Sequence, residues 1–154
     1  MEQHTLEEIE QVKQVKARYF RLMDQKRWDE WNAVFTADVV AVYQGVPGKS
    51  KSEGLTELQC TGRADLVSKV SGFLSKGTSV HHGHMPEIEL TSPTTARGIW
   101  AMVDYLRFPN FTFTGYGHYD EDYVKEDGQW KINRILLTRL HCDVEWETAA
   151  ATQR

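Results

Sequence analysis

The sequence predicts an α+β fold, a cone-shaped barrel of curved, mostly antiparallel sheet closed by N-terminal helices around a deep pocket. Three observations carry that reading. Apolar residues recur at spacings of three and four between about residues 5 and 26, the signature of an amphipathic helix. After Gly77 the texture changes to long runs rich in β-branched and aromatic residues, which suit strands. Those runs are separated by Ser92-Pro93, Pro109-Asn110 and Asp127-Gly128, turn pairs that join neighbouring strands as hairpins. A chain of 154 residues fits a single domain, 1–154, that can bury its core without staples. From about residue 147 the composition reads as a flexible tail.

The first helix carries Leu6, Ile9, Val12, Val15 or Lys16, Tyr19, Phe20 and Met23 on one face. Thr5 with Glu8 three residues on resembles a capping box at its start. A short second helix is expected in WDEWNAVFT, where Trp28, Trp31, Val34 and Phe35 share a face. DVVAVYQG then reads as a strand, and VPGKSKSEG, residues 46–54, as an exposed loop. A third helix is expected over ADLVSKVSGFLSKG, with Gly77 as its C-cap. Four strands follow: SVHHGHMPEIELT, TARGIWAMVDYLRF, FTFTGYGHYDEDYVKE and QWKINRILLTRLHCDVEWE.

Composition excludes several classes of partner. The net charge of −4 gives no electrostatic footprint for nucleic acid or an anionic membrane. No apolar run approaches the roughly 18 residues a membrane span needs, and the acidic start MEQHTLEEIEQVK is unlike a secretory signal. Cys60 and Cys142 are far apart and form no CxxC pair, which suits reduced thiols in a cytoplasmic protein.

Half of the six histidines fall in VHHGHMPEIEL. In an extended strand His82 and His84 share one face and His81 takes the other. A metal site would use His82 and His84 with Glu87 or Glu89, but the helical N-terminal third and the ligand spacing do not suit one, and no metal is expected. The acid–base reading pairs His81 with Asp24, at the end of the first helix. A carboxylate on one ring nitrogen fixes the tautomer and raises the basicity of the other. Such a pair can remove a proton beside an electron-withdrawing group and deliver it to a leaving hydroxyl. No cofactor is needed.

Asp104 projects from an apolar strand on the face of Trp100 and Met102, and Arg139 is a lone cation in ILLTRLHCD. Either the two pair with each other or they meet a substrate oxygen. Tyr19 can donate its hydroxyl to a substrate or serve as core packing. Trp100, Met102, Phe108 and Phe111 are candidate pocket walls, and one of Tyr116, His118 and Tyr119 is expected to line the pocket, with Tyr116 taken for it.

Together YFRLMDQKRWDEWNAVFTADV, VHHGHMPEIEL, GIWAMVDY and GYGHYDEDYVKEDGQWKINRILLTRL resemble the SnoaL-like branch of the nuclear transport factor 2-like superfamily. The resemblance runs from about Leu6 to Asp143. The site residues are similar to those of bile acid 7α-dehydratase, hexachlorocyclohexane dehydrochlorinase and scytalone dehydratase, which eliminate without metal or cofactor. It implies that Asp24 and His81 are catalytic, and that Tyr19, Asp104 and Arg139 position the substrate. His82 and His84 would face away or support the site. The function implied is a dehydratase-like lyase acting on a small hydrophobic, polycyclic or steroid-like hydroxylated substrate. Isomerases and polyketide cyclases share the fold, and a non-catalytic binding module is the reading from another class. Family members pair through the sheet face, so a homodimer or homotrimer is implied. The chain departs from the family between Val46 and Gly62, where substrate selectivity would be set.

Overall fold

The computed structural model describes residues 2–46 and 57–147. Three helices, α1 (Glu2–Asp24), α2 (Trp28–Asn32) and α3 (Arg63–Leu74), accompany six strands. These are β1 (Phe35–Tyr43), β2 (Leu58–Thr61), β3 (Thr78–Ser92), β4 (Thr95–Phe108), β5 (Phe111–Glu126) and β6 (Gln129–Trp146). They form one curved, unclosed sheet in the order β2-β1-β6-β5-β4-β3. All pairs are antiparallel except β1 with β6. No described helix is long and apolar enough to cross a membrane.

The α1 stripe of Val12, Val15, Tyr19, Leu22 and Met23 is buried; α1 packs on β3 and β6, and Tyr19 meets Tyr119 of β5. The indole N–H of Trp31 donates to the Tyr19 carbonyl at 3.0 Å, which ties α2 to the far end of α1. The β5–β6 hairpin turns through Asp127 (φ 50°) and Gly128 (φ 77°), the paired positive φ values that a two-residue hairpin turn requires.

Irregularities in the sheet decide which side chains face inward. Between His84 and Glu87 the β3 register shifts against β4, with Met85 at φ 42°. Inward residues therefore run Ser79, His81, Gly83 and then Pro86, Ile88, Leu90. On β6, shifts opposite Tyr116/Gly117 and Asp122/Tyr123 leave Leu140 and Asn133 without ladder partners. Each shift changes the alternation, because the side-chain period of a strand is two.

Several local expectations are corrected. Helix α1 begins at Glu2, so Thr5 is not its cap. The Glu8 carboxylate instead receives Lys125 Nζ at 2.8 Å and the Trp130 indole at 2.5 Å. Helix α2 ends at Asn32, and Phe35 already pairs with Ile132 as strand. Helix α3 ends at Leu74, and Gly77 is not among the positive-φ glycines. What Gly77 provides is room, since a Cβ there would meet Phe108 Cε1 at 2.6 Å. Strand β2 lies within the Val46–Gly62 stretch, where no strand was expected. The expected 46–54 loop and the tail fall almost wholly outside the described residues.

Candidate active site

Helix α1 ends at Asp24, and the chain turn that follows leaves this carboxylate pointing at the start of β3. It accepts from Ser79 Oγ at 2.8 Å, from the His81 backbone N–H at 2.8 Å, and from His81 Nδ1–H at 2.6 Å. The ring tautomer that satisfies Asp24 carries its proton on Nδ1 and leaves Nε2 as the lone-pair nitrogen. Phe20 lies nearly parallel to the imidazole, with ring centroids 6.2 Å apart. Gly83 permits this, because a Cβ there would come within 2.6 Å of the Phe20 ring.

His81 opens onto a cavity of about 220 Å³ between α1, α3 and the sheet. Its walls are mostly apolar, from Met23, Leu58, Val70, Leu74, Leu106, Phe113 and Leu137. Polar groups enter from Tyr19, Tyr43, Tyr119, Asp104 and Arg139. A mostly apolar pocket with a few convergent polar groups is the usual form of a small-molecule site.

Asp104 and Arg139 form a forked ion pair across β5, with Nη1–Oδ1 at 2.8 Å and Nη2–Oδ2 at 2.9 Å. Arg139 Nε–H also donates to the Gln44 carbonyl, and its backbone N–H to Gln44 Oε1. Burial works against the guanidinium charge, but the hydrogen bonds and negative charge of Asp104 outweigh it and hold the Arg139 pKa above its ordinary value. Of the two sequence readings, the pair with each other is present, and both residues still face the cavity.

The Tyr19 and Tyr43 hydroxyls are 2.9 Å apart, and the Tyr119 ring packs edge-on against that of Tyr19, centroids 5.9 Å apart. Burial raises all three phenols above the ordinary tyrosine value, so each keeps its proton near neutrality. Behind Tyr19 and Tyr119 the fully buried Lys16 is ion-paired with Glu121. Its Nζ is 3.8 Å from the Tyr19 ring centroid and 3.5 Å from that of Tyr119. Glu121 accepts from Tyr123 OH at 2.5 Å, and Tyr123 from the Trp100 indole at 3.0 Å.

The structure thus brings together Asp24, His81, Tyr19, Asp104 and Arg139. The five proposed wall residues, Trp100, Met102, Phe108, Phe111 and Tyr116, lie elsewhere. Trp100 faces inward but is taken up by Tyr123 and Gly83, and Met102, although buried on the same face, is not a cavity wall. Phe108 stacks on Phe111 at 4.8 Å and packs against Phe73, and it is Phe73 that reaches the cavity. Tyr116 falls on the outward phase of β5, 39% exposed, stacked on His141; Tyr119, on the inward phase, takes the wall position. His82 and His84 are exposed on the outer face of β3, rings 6.3 Å apart. No three His, Cys, Asp or Glu side chains among the described residues converge as a metal site would need. Both cysteines are free.

Sequence reading missed Ser79, Tyr43, Lys16 and Glu121. The last two had a signal, being charges set within apolar periodicities: Lys16 on the α1 stripe and Glu121 between Tyr119 and Tyr123. Tyr43 and Ser79 had none.

Comparison with known proteins supports the architecture. A "Putative Scytalone Dehydratase" from Novosphingobium aromaticivorans superposes with a TM-score of 0.79 at 23% identity, over 93% of this chain and 91% of its own. The hexachlorocyclohexane dehydrochlorinase LinA-type3 from Novosphingobium barchaimii gives a TM-score of 0.75 at 14% identity, over 94% of each chain. At these identities the likeness is one of fold. A curated relative, "Probable cyclase FGR4" of Gibberella zeae, is 21% identical over 134 residues, 84% of this chain and 89% of its own. The model of the SnoaL-like domain matches residues 4–135, and the chain belongs to that family, within the nuclear transport factor 2-like superfamily.

Proposed function

We propose that this protein is a cofactor-independent lyase that eliminates water from a hydrophobic, polycyclic hydroxylated substrate. The observation that carries the reading is the Asp24–His81 hydrogen bond, 2.6 Å at Nδ1, on a histidine that lines the cavity. The Nε2 lone pair takes a proton from carbon, the C–H electron pair becomes the new double bond, and the neighbouring C–O bond breaks. The proton held on Nε2 then goes to the departing hydroxide, so water leaves and His81 returns to its starting state. Asp24 keeps the ring in register and balances the imidazolium charge between the two transfers. Tyr19 and the Asp104–Arg139 pair hold the substrate's oxygens.

Size and polarity narrow the substrate. A cavity of about 220 Å³ lies below the roughly 300–1,000 Å³ usual for drug-sized ligands. A compact fused-ring compound fits within it, and a full steroid would extend past it. Arg139 is neutralised by Asp104, so the pocket favours an uncharged oxygen over a carboxylate.

The test is incubation with a panel of hydroxylated polycyclic ketones, followed by mass spectrometry. Loss of one water by the wild type, and not by His81→Ala, supports elimination. A product of unchanged mass would make the protein an isomerase or cyclase, the reading that the Gibberella relative's name favours. Binding without conversion across the panel would leave a binding module.

A further inference from the structure

We infer that Lys16 is a positioning residue of this site, a cation that acts on the cavity through the phenols of Tyr19 and Tyr119. The inference rests on the reading that Tyr19 holds a substrate oxygen, and extends it to a residue that never touches substrate.

Lys16 is fully buried and contributes no surface. Its ammonium lies 3.8 Å from the Tyr19 ring centroid, 3.5 Å from that of Tyr119 and 4.7 Å from that of Phe20. Both phenols line the cavity, and the Tyr19 hydroxyl is hydrogen-bonded to that of Tyr43. A cation against the ring face withdraws electron density from the phenol, which makes its O–H a stronger donor to a developing negative oxygen. In a dry site charges are weakly screened, and the effect on the rings is what remains once the paired Glu121 is offset.

Glu121 is ion-paired with Lys16 and balances its charge, its own negative charge acts on Tyr19 and Tyr119 in the opposite sense, and Tyr123 and Trp100 extend the hydrogen bonds from Glu121. The groups facing Lys16 are therefore Glu121 from β5, the phenols of Tyr19 and Tyr119, and the Phe20 ring. Burial lowers the Lys16 pKa to about 8, with Glu121 opposing the fall, so the cation persists at neutral pH. As pure scaffolding the pair is a poor choice, because well-packed apolar residues commonly replace a buried ion pair without loss. A charge set against the faces of two phenols accounts for its place.

The probe is 4-nitrophenol, a planar phenol whose absorbance reports its ionisation when bound and which ionises near neutrality, below the pH at which Lys16 loses its charge. In the wild type the bound probe should ionise at a lower pH than the free one, because the tyrosine hydroxyls stabilise the phenolate. In the double variant Lys16→Met with Glu121→Gln, which leaves no lone charge, that ionisation should rise by about one pH unit or more, a tenfold weaker preference for the anion. Affinity for the neutral probe should stay within about threefold, which a merely structural lesion would not preserve. Lys16→Arg should keep the wild-type value. An unshifted ionisation in the double variant overturns the inference. If the double variant does not fold, a Lys16→Arg protein shifted as far as Tyr19→Phe overturns it instead, and one at the wild-type value supports it. Tyr19→Phe separates the two levels of argument. If that change leaves the bound probe's ionisation untouched, or the wild type does not perturb the probe at all, Tyr19 does not hold an oxygen and both readings fall. If it shifts the ionisation and the Lys16 variants do not, only the role of Lys16 is lost.

Discussion

Gly115 lies directly beneath the guanidinium of Arg139, and a Cβ at that position would overlap both Arg139 Nη1 and Asp104 Oδ1. The ion pair crosses β5 only because this residue has no side chain. Gly115→Ala should therefore separate the pair and destabilise the fold by about 1–3 kcal/mol, the usual range for overpacking. Urea denaturation measures the stability, and titration with a hydroxylated naphthalene measures whether the cavity still binds. Unchanged stability and binding together would mean that the pair does not need its crossing point.

The pair itself is nearly dry, with side-chain exposures of 7% for Arg139 and 3% for Asp104. Removing one partner leaves a buried charge alone, which costs about 3–5 kcal/mol. Asp104→Leu and Arg139→Met should each show a loss of that order. The two together should recover much of it, because no charge is then left unpaired. Turnover should not recover with stability. A double variant that is both stable and fully active would remove Asp104 and Arg139 from the site.

For His81 the measurable quantity is the tautomer. Nitrogen-15 correlation spectra should place the proton on Nδ1 in the wild type, as the 2.6 Å bond to Asp24 requires. Asp24→Asn should lose that preference and reduce turnover by about 10²–10⁴-fold, the typical worth of a positioned acid–base group. Ser79→Ala removes one donor to the same carboxylate while leaving the His81 bond in place, so its loss should be smaller. A tautomer with Nε2 protonated in the wild type would leave no base facing the cavity.

Much of this site was legible in the sequence because it sits on strongly periodic elements. Strands β4 and β5 run from turn pair to turn pair, and the clean alternation of β4 puts Asp104 inward, whereas on β5 the sequence reading took the outward Tyr116 in place of the inward Tyr119. Strand β6 was harder, since nothing in NRILLTRLHC marks Asn133 and Leu140 as residues that drop out of the ladder. Without the shift at Leu140, Arg139 and Cys142 could not both turn inward. Phe35 illustrates a different ambiguity, because over a few residues one apolar spacing serves a helix and a strand equally. The wall residues failed for a geometric reason. Trp100 and Met102 do share the face of Asp104, but a face is longer than a cavity, and α1 covers the part they occupy.

Lys16 gives the pH prediction. In the unfolded chain its pKa returns toward the ordinary 10.5, whereas in the native protein burial lowers it to about 8. Between those values the unfolded state binds more protons than the native state, so stability rises with pH across the window. Below about 8 both states are protonated and the burial penalty is present in full. The phenols act in the opposite sense, since burial raises Tyr19 and Tyr119, and their contribution is lost once unfolded tyrosines ionise near pH 10. The useful interval is therefore pH 8 to 10. Over it the wild type should gain stability relative to the Lys16→Met, Glu121→Gln double variant, as read from urea midpoints at each pH. A difference that stays flat would mean that Lys16 carries the same charge in both states throughout, and its proton would then not be linked to folding in this range.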